Sequence, residues 1–156
     1  MKYRRLTKEE LEPLAEDFAI FLASNSIDKK AWDNLKGNEP QKAEETLDIF
    51  SDMVFEKALK SARFLERISE TEIHCYAFQS NQAHLISARI TQPGDSNFVN
   101  SELKSLLPRL IKNNSLELIQ GTKKYSKPRE QEMFEIMKTG ATFSKGELYN
   151  ALLRLI

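Results

Sequence analysis

The chain has 156 residues, 40% of them hydrophobic and 29% charged, and its 23 basic and 23 acidic side chains leave no net charge. Such a composition fits one folded domain, residues 1–156, and excludes a low-complexity or disordered chain. A single cysteine, Cys75, excludes an internal disulfide and a thiolate zinc cage; no apolar run approaches the ~18 residues of a membrane span and no leader-like segment opens the chain, so a cytoplasmic location is expected.

The first helix opens at Leu6-Thr7-Lys8-Glu9-Glu10-Leu11. Thr7 caps, Glu10 reaches back, and Leu6 staples onto Leu11. Leu11, Leu14, Ala15, Phe18, Phe21 and Leu22 continue one stripe at helical spacing, with Pro13 bending its start, until Asn25-Ser26. Asp28 caps a short second helix that ends at Gly37, and Ile27 and Trp32 stand in staple positions. Asn38 with Gln41 caps a third, predicted from about 39 to 67, with Pro40 in its first turn. Ala43, Leu47, Phe50, Val54, Ala58 and Leu65 form its stripe.

From Glu72 the period changes to two. Residues 72–79 and 83–91 predict an antiparallel hairpin turned at Ser80-Asn81-Gln82. A loop over 91–97 holds Pro93-Gly94-Asp95. Leu103, Leu106, Leu107, Leu110 and Ile111 have helical spacing, but Pro108 conflicts with a cap at Ser101. Either Ser105 caps or the helix kinks. Residues 115–121 read as a third strand, and 129–138 and 145–156 as two closing helices. Ser144 and Glu147 have capping-box spacing, and Phe143 and Leu148 are placed for a staple. The two closing helices pack as an αα-hairpin in preference to a DNA-reading helix-turn-helix. The fold class expected is α+β: mostly helical, with helices packed on a small antiparallel sheet.

Charge is unevenly spread. Glu44, Asp48, Asp52 and Glu56 recur every four residues and stack on one helix face, where like charges repel by a few tenths of a kcal/mol per pair. They are a candidate surface for a basic partner; the plainer reading is a solvated face relieved by Lys42, Lys57 and Lys60. Glu44-Glu45-Thr46-Leu47-Asp48 also resembles the magnesium-holding motif of all-α nucleotide pyrophosphohydrolases, a resemblance that implies metal-dependent nucleotide hydrolysis. That family needs a second acidic motif on a facing helix; Glu9-Glu10-Leu11-Glu12 is the nearest, and it lies at a helix start that favours acids anyway. The opposite charge gathers over 104–129, with seven basic residues against Glu117. Lys123, Lys124, Tyr125, Lys127 and Arg129 combine cations with an aromatic ring, as nucleic-acid contacts do. The same segment also suits pairing with the acidic row. His74, Cys75 and His84 lack metal-ligand spacing. A tight turn at Ser80-Asn81 puts the two histidines on opposite faces of the hairpin, and other loop lengths put them on the same face. Cys75 reads as a small buried hydrophobe and Trp32 as a core anchor.

Several segments resemble a family of small proteins of unknown function from Bacteroidetes-type bacteria. They are Met1-Lys2-Tyr3-Arg4-Arg5-Leu6-Thr7, Lys127-Pro128-Arg129-Glu130, Glu132-Met133-Phe134 and Phe143-Ser144-Lys145-Gly146-Glu147-Leu148. The resemblance spans the chain, implies a bacterial cytoplasmic protein and carries no catalytic residues. The function expected is a non-enzymatic interaction or regulatory protein with a protein partner or self-association and no cofactor. An RNA- or DNA-binding accessory role is the alternative, and metal-dependent nucleotide hydrolysis the third reading.

Overall fold

A computed structural model describes residues 1–92, 94 and 96–156. The predicted loop over 91–97 therefore lies outside the described residues at Pro93 and Asp95. The fold is α+β, with two compact units, Met1–Ala58 and Leu59–Ile156.

In the first unit Thr7 makes the expected capping box with Glu10. The first helix is not continuous. α1 (Lys8–Leu11) passes through a 3₁₀ turn at Glu12–Leu14 into α2 (Ala15–Ser24), because Pro13 has no N–H to continue the ladder. Asp28 caps α3 (Lys29–Asn38), its Oδ1 accepting from Ala31 N–H at 2.7 Å. Gly37 does not end α3, and Asn38 caps nothing: it is the last helical residue and its carboxamide bonds Asn34. Glu39 alone separates α3 from α4 (Pro40–Ser61). Phe18, Phe21, Trp32 and Phe50 form the aromatic core here, with Phe18 edge-on to Trp32 at 5.2 Å. Trp32 is only half-buried, and Lys36 lies over its ring.

The predicted third helix stops at Ser61 instead of running to 67. Residues Phe64–Ile68 are strand β1. Leu65 satisfies the helical stripe and an alternating strand equally, and the sheet claims it: it is completely buried between neighbours on both sides. β2 (Glu72–Phe78) and β3 (Gln82–Ile90) are the expected hairpin, and β4 (Leu116–Lys124) starts one residue later than the predicted third strand and ends three residues beyond it. A fifth strand, β5 (Thr142–Ser144), was not expected. The antiparallel sheet has the order β4-β3-β2-β1-β5, larger than the sequence suggests.

Helix α5 (Leu103–Lys112) begins after Glu102, so neither Ser101 nor Ser105 is its cap, and Pro108 lies in its interior. Pro108 and Lys104 are both exposed, which leaves the carbonyl that proline cannot bond within reach of solvent. Two helices follow β4: α6 (Arg129–Met137) and α7 (Glu147–Leu153). They do not form an αα-hairpin, because β5 intervenes and they meet opposite faces of the sheet. His84 and Thr122 are cross-strand neighbours, and His84 bonds Tyr149 of α7 at 2.6 Å. The adjacent Lys123 points the other way and bonds Glu132 of α6. The core of this unit lies on the α7 side, where Ile73, Cys75, Ile86, Ala88 and Ile90 meet Leu106, Leu107 and Leu110 of α5 and Leu152 of α7.

The capping box predicted at Ser144 is absent. Ser144 is the last residue of β5, and Gly146, at φ +87°, is the N-cap of α7. The Ser144 hydroxyl instead accepts from Gly146 N–H at 2.9 Å.

Candidate interaction surfaces

The acidic row is occupied by the chain's own residues. Both oxygens of Asp52 accept backbone amides, from Lys2 (2.6 Å) and Tyr3 (2.8 Å). Lys2 Nζ reaches Glu56 at 3.0 Å, and the Tyr3 hydroxyl also donates to Glu56. Arg5 forks onto Asp48 at 2.6 and 3.1 Å, with Glu44 at 3.9 Å. The Arg5 bonds hold the Asp48 carboxyl below its usual range. One turn on, buried Ser51 accepts from Leu6 N–H and donates to Leu47 C=O. Residues 2–6 thus lie along α4, and the periodic acids are the bonding pattern of that extended segment. Glu44 is exposed; Asp48, Asp52 and Glu56 are half-buried. Lys42, expected to relieve the row, pairs with Glu39. Among the described residues no three of His, Cys, Asp and Glu group as metal ligands do.

The basic segment is organised around Glu132, which sequence reasoning missed. Only 4% exposed, Glu132 takes Lys123 Nζ at 2.9 Å on one oxygen. Its other oxygen accepts Ser126 N–H (2.8 Å), Lys127 N–H (3.0 Å) and the Ser126 hydroxyl (3.1 Å). The Lys123 bond, joined by those amides, pulls its pKa down to about 2. A signal existed: Glu132 abuts Met133 and Phe134 on the inner stripe of α6, where a carboxylate needs partners. Tyr125 places its hydroxyl 2.7 Å from both Gln79 C=O and Gln82 C=O, and its ring stacks on Phe78. Burial raises its pKa. Arg129 donates to the carbonyls of Leu59 (3.0 Å) and Ala62, closing the end of α4. Lys123, Tyr125 and Arg129 therefore hold the fold together. Lys124 and Lys127 are exposed, and Lys127 lies 4.0 Å from Glu135.

The two histidines fall on opposite faces of the hairpin, as a tight turn requires. His74 Nδ1 is 2.9 Å from Ser87 Oγ and its Nε2 is 3.4 Å from Glu72. This resembles a nucleophile–base–carboxylate relay, but β2 and β3 are inner strands whose amides are committed to their neighbours, and the Arg89 guanidinium that lines the same cleft is held by Glu117. Cys75 is 1% exposed, and burial pushes its thiol up to about 12, an inert core group. A cleft of about 470 Å³ opens between α5 and α7, with Leu103, Leu107, Leu148 and Ala151 in its lining and the charges of Lys104 and Glu147 beside them.

The longer of the two sheet edges is β4, which among the described residues pairs with β3 alone. Thr91 N–H donates to Ser115 C=O at 2.9 Å, and Tyr125 N–H faces Asn81 C=O at 3.5 Å, both continuing the β3–β4 register. Odd-numbered residues of β4 therefore exchange bonds with β3. Leu116, Leu118, Gln120, Thr122 and Lys124 turn N–H and C=O outward. Residues 119–124 are exposed, and Ile119 is 55% exposed.

These features define an α+β protein with a five-stranded antiparallel sheet, helices against both faces and an open nine-residue edge. The chain belongs to a family of unknown function (DUF6495), which it matches over residues 1–156. No curated protein and no solved structure matches it. Among the described residues no helix is long and apolar enough to cross a membrane.

Proposed function

We propose that this is a non-enzymatic interaction or regulatory protein whose contact surface is the open edge of the sheet. One observation carries the reading: among the described residues β4 is hydrogen-bonded to a strand on one side only, and it is exposed along 119–124. Backbone groups that face water on a long edge strand are a template for a further strand. The charges of Glu117, Lys123 and Lys124 along it give such pairing a direction. A cytoplasmic setting in a bacterium of the Bacteroidetes type is part of the proposal and rests on the resemblance of the opening and closing segments.

Amide exchange in dilute protein tests the reading. Gln120 and Thr122, which turn their N–H outward, should exchange at least about a hundredfold faster than Ile119 and Lys123, which bond to β3. Uniform protection along β4 at every dilution would mean that the edge is covered within the chain, and the reading would be lost.

A further inference from the structure

We infer that the strand added to β4 is β4 of a second copy of this chain, antiparallel about a two-fold axis at Gln120. The inference rests on the interaction reading above and names its partner.

Three features of the strand fit its own image. In the full-overlap register the partner of residue n is residue 240 − n, so even residues meet even residues. These are the residues whose backbone groups point outward, and each even pair exchanges two hydrogen bonds. A shift by one residue would set outward-facing groups against groups already bonded to β3. The same register places Glu117, already paired with Arg89 of β3, opposite the partner's Lys123, whose side chain stays 64% exposed beside Glu132; in this closely spaced non-hydrogen-bonded class the opposite charges add a second contact to each. Both lie on the α6 side of the sheet.

The third feature is Gly121. Glycine inside a strand weakens it, and among the described residues nothing requires one here: a Cβ would meet no atom within 4 Å, and φ is not in the left-handed region. In the two-fold register Gly121 lies directly across from the partner's Ile119, the exposed apolar side chain of the edge. The missing side chain makes room for it, and the contact occurs twice by symmetry. An isologous contact of this kind closes on itself, so the product is a dimer with one continuous sheet. Lysines at 123 and 124 would oppose other strand partners that lack an acid at the matching position.

Single cysteines in the full chain test both the partner and the register. Two copies of Gln120 stand about 5.5 Å apart in this arrangement, within disulfide reach. Two copies of Lys124 stand about 27 Å apart. Gln120→Cys should cross-link to itself under mild oxidation, and Lys124→Cys should not. Cys75 is buried and silent. Thr122→Pro removes only an outward N–H, so it leaves the β3 ladder intact and should weaken association measured by sedimentation at least about tenfold. Equal cross-linking by both cysteines overturns the register. A wild type that stays monomeric to about 0.5 mM (a Kd weaker than about 4.5 kcal/mol of association supports), with fast-exchanging Gln120 and Thr122 amides, overturns the second copy but leaves the open edge standing. A monomer in which those amides are protected overturns both readings.

Discussion

Glu132 shows how a single residue can decide what a charged segment is for. Its carboxylate bonds the Lys123 ammonium and the Ser126 and Lys127 amides, which ties an apparently free basic run to α6 while the Lys123 and Lys127 side chains stay exposed. Its pKa lies near 2 in the fold against 4.5 for an ordinary glutamate. A depressed carboxylate stabilises the fold above its unfolded pKa and loses that contribution as pH falls through the folded value, because the unfolded chain then binds the extra proton. The contribution at neutral pH is on the order of 2–3 kcal/mol and should disappear between about pH 4.5 and pH 2. Glu132→Ala should therefore cost about 2–4 kcal/mol at pH 7 in urea unfolding, and much less at pH 3. An equal loss at both pH values would mean that side-chain packing, not the carboxylate, is what the position supplies.

At the level of elements, starts were legible where a side chain itself makes the first bond. Thr7 with Glu10 and Asp28 with Ala31 N–H are such cases, and the alternation from Glu72 to Ile90 gave the hairpin. Elements were lost where the pattern fits two geometries. Leu65 suits either period, and the three residues of β5 are too few to show one. Ser144 had correct capping spacing but was claimed by the β5–β1 ladder, which shifts the helix start to Gly146. The acidic row was legible as an anomaly and not as a solution, since the bonds from Lys2 to Asp52 and from Arg5 to Asp48 span 50 and 43 positions. The α7 start can be tested directly. Gly146 has φ +87°, and an added Cβ would lie 2.6–2.8 Å from the Phe64 ring. Gly146→Ala should destabilise by at least about 2 kcal/mol, from the left-handed backbone and the overpacked ring together. Gly37→Ala has open space and an ordinary helical position and should stabilise by up to about 1 kcal/mol. Similar effects from the two substitutions would refute this account of α7.

Over the whole molecule, zero net charge conceals two strongly patterned surfaces, each matched locally. Lys2 and Arg5 answer the acidic row, and Glu132 and Glu135 answer Lys123 and Lys127 of the basic segment. A divalent cation arriving at the row would have to displace two backbone amides from Asp52 and the Arg5 fork from Asp48. It would also leave Arg5 without its carboxylate. Hard cations such as magnesium surrender their water reluctantly, and an already hydrogen-bonded carboxylate offers little in return. Ligand binding to the folded state raises stability by RT ln(1 + [L]/Kd), so weak binding leaves almost no mark. Magnesium or manganese at about 5 mM should therefore move the melting temperature by less than about 1 °C. Asp52→Ala should instead free the leading segment, seen as faster amide exchange at Lys2 and Tyr3 with or without metal. A metal-induced rise of several degrees that vanishes in Asp48→Asn would reverse this conclusion and return the row to nucleotide chemistry.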